Sequence, residues 1–446
     1  MILYLYSLGR YYVIMNKIFS LKINHINKNI NAYNLGLTSF FIGIFLLFSA
    51  PLFGSIFLLI SIVLSLCSQK ENPLKDKINL SLILISLLMI VSCLIFPLKK
   101  TSLDALGGDF NTHPFIGLLN WLPLFVSFLG FQTYLKTKKN RTKCAIFLIC
   151  GSIPILVSGF GQYLFNWYGP LEFLNGLVIW YQRESATGMT SIFNNQNYAG
   201  CALAGVLPFF FASIFINQES TNKKIIAIIL TTLIILGIFF TNSRNGLLGL
   251  FIGTFFLIIP LKRKFILTTV LSIFSVFFIN NFSNLILNIN LIPSSLINRF
   301  NFESLSNEPR ITIWQSSLKF ILEEPILGWG GNNFSSIWNS FNERYYGHSH
   351  SVPLEIAIQY GLLTSFFLSF LIVYILIKSF KLIFFDADKK LVSFSKDNHY
   401  DRAWFSSSIV ILFSNTIDIL YFDLRISILL WILLSGLRVI MKSQET

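Results

Sequence analysis

Long apolar runs, separated by short polar stretches, repeat along the whole chain. Runs of roughly 18–20 apolar residues are each long enough to cross the hydrocarbon core of a bilayer as a helix. They predict spans near 35–49, 52–68, 78–97, 115–135, 143–165, 198–216, 225–241, 246–261, 265–280, 352–377, 404–420 and 425–441. The first two are short and fit either two weakly tilted helices or a re-entrant pair. Lipid offers no partner to an open backbone, so spanning segments of this kind are helical. The pattern therefore predicts an all-α polytopic integral membrane protein with about twelve transmembrane helices. It divides into a polar N-terminal segment (1–34), nine helices (35–280), the longest polar segment (281–351), three further helices (352–441) and a short tail (442–446).

Composition agrees: 54% of residues are hydrophobic and only 12% are charged. The net charge of +14 would suggest nucleic acid in a soluble protein. Here it reports orientation. With a cytoplasmic N-terminus, the inside segments hold 25 of the 34 Lys and Arg residues, among them KTKKNRTK (136–143) and LKRK (261–264). The opposite orientation would put those stretches outside, against the positive-inside rule. Both termini are thus expected in the cytoplasm of a bacterial inner (plasma) membrane, with membrane lipids as surroundings and no nucleic-acid partner. The segments 166–197, 241–246 and 281–351 then face the periplasm. A polar loop of about 70 residues is usually functional rather than a connector. The five cysteines fall in or beside apolar runs, without metal-ligand or disulfide-framework spacing.

Cationic and titratable groups left outside need an account. Arg244, in TNSRNG (241–246), is either an interfacial anchor or a bidentate ligand for phosphate, helped by the adjoining helix start. Arg310 opens a stretch in which Ile313, Trp314, Leu318, Ile321 and Leu322 recur at helical spacing. That spacing predicts an amphipathic helix over 310–323 lying on the membrane surface, in which Arg310 makes a surface salt bridge or binds an anion. Pro325 and the glycines 328, 330 and 331 then end it in a turn. His348 and His350, in GHSHSVPLE, stand where the chain re-enters the membrane. They read as satisfied interfacial rings, as a metal pair lacking a convincing third ligand, or as a general base titrating near neutrality. An extended segment would put the two rings on one side; a helix start would not. In the Gly-, Ser- and Asn-rich loop 185–200, Asn194, Asn195 and Asn197 can bind sugars or cap the next helix. Asp418, Asp423 and Arg425, in DILYFDLR, read as a local salt bridge at the last outer turn.

Taken in order, these pieces resemble the O-antigen ligase and O-antigen polymerase superfamily, in particular its ligase-like, cyanobacterial-type branch. The matching stretches are TGMTSIFNNQNYAG (187–200), TNSRNG (241–246), Arg310-x-x-x-Trp314 followed by EEPILGWGGNNF (323–334), GHSHSVPLEIAIQYGL (347–362) and YFDLRISILLWILL (421–434). The resemblance implies a GT-C-like glycosyltransferase architecture with twelve helices and a large periplasmic loop before the tenth. It implies metal-independent, inverting transfer of a glycan from undecaprenyl diphosphate to a lipid A-core or related acceptor hydroxyl, with no cofactor. Arg244, Arg310 and His350 take the catalytic positions by this resemblance. His350 is preferred to His348 because the family pattern is H-x-H-N with the second histidine the stricter one; here Ser351 replaces the asparagine. His348, Arg183, Asn194, Asn197 and Trp314 complete the expected substrate-binding set.

The alternative within the same superfamily is an O-antigen polymerase joining lipid-linked repeat units. A transferase acting on protein acceptors is a third enzymatic reading. A bicarbonate-type transporter is the non-enzymatic one. It would place ionisable groups or broken helices near mid-membrane, whereas the distinctive residues of this chain gather at one face.

Overall fold

A computed structural model of the chain describes residues 32–68, 72–104, 114–184, 188–216, 220–258, 309–341, 345–385, 391–392 and 398–443. The expected span 265–280, the first part of the large loop (281–308), the basic stretch 262–264, Arg299 and Arg344 lie outside the described residues. Helices dominate. In chain order they are α1 (Ala32–Leu46), α2 (Pro51–Ser68), α3 (Lys77–Asp104), α4 (Leu122–Leu135, after a 3-10 segment Pro114–Asn120), α5 (Lys138–Phe165), α6 (Gln196–Ile216), α7 (Thr221–Phe240) and α8 (Arg244–Ile258). The second half of the chain contributes α9 (Pro309–Glu323), α10 (Phe334–Phe341), α11 (Val352–Tyr360), α12 (Leu362–Phe384), α13 (His399–Ile417) and α14 (Leu424–Lys442). Among the described residues eight helical segments are long and apolar enough to cross a membrane, and α1 and α8 are shorter apolar helices. The chain is a polytopic, mostly helical protein of the membrane type.

Burial separates central from peripheral helices. The spanning windows of α14 and α6 are 89% and 72% buried, whereas those of α2, α7 and α12 are 28% buried. Lipid is as apolar as a leucine side chain, so burial of apolar area does not drive such helices together; close backbone packing does. One such approach shapes the functional end. A Cβ on Gly246 would lie 2.9 Å from the Cα of Gly200. With glycine at both positions the first turns of α6 and α8 come together.

Loop contacts sort the two ends of the bundle. At one end Asp76 pairs with Arg438 at 2.9 Å and Lys442 at 2.5 Å, and Arg141 pairs with Asp401 at 3.1 Å. These contacts join the segment before α3 and the first turn of α5 to the start of α13 and the end of α14. The starts of α6, α8, α9 and α11 and the α13–α14 turn meet at the other end. The grouping is the one that charge counting assigns to opposite faces of a membrane.

Three expectations are corrected. The chain is not purely all-α: within 166–197, Leu171–Phe173 pairs antiparallel with Val178–Trp180 as β1 and β2. The signal was present in LEFLNGLVIW, where Asn-Gly sits between two apolar runs. The amphipathic helix α9 forms, but it does not simply lie on a surface. Ile313, Phe320 and Ile321 are buried with Ile358 of α11, Trp329 and Trp338, while Leu318 and Leu322 stay exposed.

The third correction concerns the span expected at 352–377, which is broken at Gly361 into α11 and α12. The carbonyls released by the break are taken up by the ILGWG turn. Trp329 N–H donates to Ile358 O (2.8 Å) and Gly330 N–H to Gln359 O (3.0 Å), while Leu362 N–H donates to Pro325 O (2.8 Å). Gly361 has φ of 88°, and a Cβ there would run into the Ile326 carbonyl oxygen. The backbone at this break is therefore satisfied by protein rather than by a transported ion. Gly361→Ala should destabilise the protein by at least about 2 kcal/mol, because it adds left-handed strain to a backbone clash. Thermal unfolding of the purified protein in detergent checks this; an unchanged midpoint would contradict the packing described.

Candidate functional site

Asp418 follows the last turn of α13, and its carboxylate collects partners from distant parts of the chain. Oδ1 lies 3.2 Å from His350 Nδ1 and accepts from the Ile419 N–H at 2.9 Å. Oδ2 accepts from Asn197 Nδ2 at 3.0 Å and lies 3.5 Å from Arg310 Nη2. Asn197 in turn accepts from Ser243 Oγ at 2.9 Å, and the same Ser243 oxygen accepts from the Gly246 N–H at 3.1 Å, capping α8. Arg244 is the next residue and opens α8. It sits at the end where the helix dipole is itself positive, so two sources of positive potential coincide. First turns of α6, α8 and α9 and the residues before α11 thus converge on one carboxylate.

The layering matters for chemistry. The Asp418 side chain is 7% exposed, while those of Arg310 and His350 are 22% and 24% exposed. The carboxylate is behind; the imidazole and guanidinium are in front. Burial works against the Asp418 charge. The His350 hydrogen bond, the Arg310 charge and the Ile419 N–H outweigh it and hold the carboxyl below its ordinary range. With Nδ1–H donated to Asp418, His350 is fixed in the tautomer whose Nε2 carries the free lone pair.

His350 has φ of 54°, a left-handed conformation uncommon outside glycine. The turn that imposes it is anchored from below. Glu355, 1% exposed, accepts from the Ser349 N–H at 2.8 Å and from Gln359 Nε2 at 2.7 Å. Ser349 Oγ donates to Ser351 O at 3.0 Å. Glu355 is thus an anchor of the histidine turn. The two rings do fall on one side: the centroids of His348 and His350 are 4.3 Å apart, edge to face, and His348 also meets Phe422. Among the described residues no group of three or more His, Cys, Asp or Glu side chains is placed to hold a metal ion.

The remaining expected residues are distributed unevenly. Trp314 is one helical turn after Arg310 on α9, half-buried, with an indole N–H that has no hydrogen-bond partner. Arg183 and Asn194 are exposed and stand outside the Asp418 network. Arg183 contributes its backbone instead, its carbonyl accepting from Gln162 Nε2 at 2.7 Å. Gln162 Oε1 also accepts from the N–H groups of Thr190 (3.0 Å) and Ser191 (2.8 Å), which fixes the loop leading to Asn197. The reading of DILYFDLR as a local salt bridge holds for half of it. Asp423 and Arg425 pair at 2.5 Å, and the Arg425 guanidinium lies 3.9 Å from the centre of the Phe193 ring. Asp418 does not join them; it is the residue that sequence reasoning missed.

Beside this cluster an apolar cavity of about 350 Å³ lies between α11, α12, α13 and α14, lined by Val352, Ile356, Ile372, Ile409, Leu420 and Tyr421 among others. Among its lining residues, Val352 is two positions from His350, and Thr416, Leu420 and Tyr421 are within three positions of Asp418, so the cavity adjoins the polar cluster.

Burial, the adjacent His350 and the Arg310 charge push the His348 imidazole down to about 4. An unfolded chain takes up that proton near pH 6.5, so this part of the stability is complete above about pH 6.5 and lost as pH falls toward 4. Melting of purified wild type should therefore fall more steeply between pH 7 and pH 5 than melting of His348→Gln. Equal pH dependence of the two would contradict a neutral, partly buried His348.

No curated protein matches the chain. The comparison with family models matches residues 229–369, described as O-antigen ligase. That segment contains Arg244, Arg310, Trp314, His348 and His350. It bears out the resemblance carried by the sequence motifs: this part of the chain is similar to the O-antigen ligase family.

Proposed function

We propose that the protein is a glycosyltransferase that moves a glycan from a polyprenyl-diphosphate carrier, undecaprenyl diphosphate in bacteria, to an acceptor hydroxyl at the membrane face bearing His350. The acceptor in this reading is lipid A-core or a related glycolipid, and the face is periplasmic. The observation that carries the proposal is the convergence of His350, Arg310 and the Asn197–Ser243–Arg244 corner on Asp418, beside an apolar cavity and within or next to the family-matched segment. The distribution of lysine and arginine supports the sidedness, since most of those among the described residues lie toward the opposite end of the bundle.

In this mechanism the acceptor oxygen attacks the anomeric carbon as the carbon–phosphate oxygen bond breaks. His350 Nε2 takes the hydroxyl proton, and Asp418 stabilises the imidazolium that forms. The polyprenyl diphosphate leaves with the bonding electrons, and a single direct displacement inverts the anomeric centre. Diphosphate is already a good leaving group, so it needs charge stabilisation more than a proton. Arg310 and Arg244 supply that charge from a site shielded by protein and lipid, where each contact counts for more than in water. No divalent cation is required in this scheme. The cavity between α11, α12, α13 and α14 receives the first isoprene units of the carrier.

His350→Ala should reduce transfer by at least about a hundredfold while the protein remains folded and inserted. Arg244→Lys and Arg310→Lys should each lose most activity, about tenfold or more, because a point charge does not replace a bidentate fork. A deletion strain complemented with each variant provides the readout, by gel analysis of outer-membrane glycolipid and of carrier-linked glycan. Unmodified core with long glycan retained on the carrier is the expected phenotype. Single repeat units on core or carrier would identify a polymerase instead. Wild-type glycolipid with His350→Ala would remove the base.

A further inference from the structure

A second, larger cavity has no part in this chemistry. It is a laterally open groove of about 2170 Å³ at the opposite end of the bundle, between the first half of α3 and α12, with α4 and the end of α14 behind it. That volume exceeds the roughly 300–1,000 Å³ of pockets for drug-sized ligands. Its mouth and its depth differ in chemistry. Lys75, Lys77, Lys136, Arg438 and Lys442 surround the mouth, with Asp76 as the only carboxylate among the described residues of the lining. Asp76 is committed: Oδ1 accepts from the Ile78 N–H at 2.9 Å, capping α3, and Oδ2 holds Arg438 and Lys442. Burial opposes the Asp76 charge, but Lys442 and Arg438 outweigh it and hold the carboxyl below its ordinary range. Lys75, Lys77 and Lys136 are exposed and form no ion pair among the described residues. The depth is apolar, with Leu84, Leu87 and Leu88 of α3 facing Phe366, Phe367 and Phe370 of α12 across the groove.

The dimensions add a second constraint. From Lys77 to Leu88 an α-helix rises about 16 Å. That is close to half of the roughly 30 Å hydrocarbon core of a bilayer. A cationic mouth at one surface, an apolar wall reaching the mid-plane and an opening to the side are the requirements of a single membrane lipid with a negative headgroup. We infer that this groove binds an anionic phospholipid of the leaflet opposite the candidate active site, its phosphate among Lys75, Lys77 and Lys136 and its acyl chains along α3 and α12. Basic pockets between membrane helices are suited to such headgroups. The chain's own N-terminal segment is a poor occupant on charge: residues 1–31 contain Arg10, Lys17, Lys22 and Lys28 and no Asp or Glu.

The test uses the full-length protein in nanodiscs of phosphatidylcholine containing a minor fraction of phosphatidylglycerol. After extraction into mild detergent, retained lipids are counted by native mass spectrometry. Wild type should retain phosphatidylglycerol over phosphatidylcholine by at least about fivefold relative to the bilayer ratio. The triple variant Lys75→Gln, Lys77→Gln, Lys136→Gln should fall to nearly that ratio. A control variant, Lys139→Gln, Lys143→Gln, Lys381→Gln, removes exposed lysines outside the groove lining and should keep the preference. All of the substituted positions are on the surface, so each variant should elute as the wild type does. Four results would overturn the proposal: no preference in wild type, an unchanged preference in the groove variant, an equal loss in the control, or displacement of the retained lipid by soluble glycerol phosphate.

Discussion

A carboxylate buried near the end of a membrane bundle is stable only where charge and hydrogen bonds surround it, since the desolvation cost is several kcal/mol per ion. Asp418 meets that condition with His350, Arg310, Asn197 and the Ile419 amide. Each partner comes from a different stretch of chain, so satisfying this one group fixes the relative placement of α6, α9, α11 and α13. The same contacts give the site its polarity. They leave the imidazole and one guanidinium partly exposed in front of a carboxylate that solvent barely reaches. Structural need and chemical readiness therefore have one origin: a negative charge that cannot be left unpaired.

Other features make this convergence possible. Glycines 200 and 246 let two helix starts approach until Ser243 meets Asn197. Gln162 and the Asp423–Arg425 pair pin the loop that ends at Asn197, the latter through an Arg425 hydrogen bond to Ile192 O at 3.3 Å. Glu355 and Gln359 hold the turn in which His350 takes its left-handed backbone. The break at Gly361 lets the ILGWG turn dock on α11 and α12, which seats α9 and hence Arg310.

Much of this was legible in the sequence, and the remainder was illegible for identifiable reasons. The helices are written in the apolar runs, and the two ends of the bundle in the lysines and arginines. Arg244, Arg310 and His350 stand out because charge on the outer side of such a protein is unusual. Asp418 does not stand out, since Asp423 and Arg425 nearby suggest a local pair. Its real partners are 68, 108 and 221 residues away. The break at Gly361 is equally silent, because glycine is ordinary within membrane helices and VPLEIAIQYGLLTSFF is mostly apolar on both sides of it. Periodicity identified α9 as amphipathic but not the face that docks: Ile313 and Ile321 go inward, Leu318 and Leu322 outward, and that choice is made by α11.

The central claim is that His350 and Asp418 act as one unit. A double-mutant cycle on glycan transfer by the purified protein, using His350→Ala, Asp418→Asn and the double variant, addresses it most directly. Groups that serve a single proton transfer lose their effects together. The account predicts that the double variant is no slower than His350→Ala alone. Losses that multiply, with Asp418→Asn slowing the His350→Ala protein as much as it slows the wild type, would show that the two residues act separately and would contradict it.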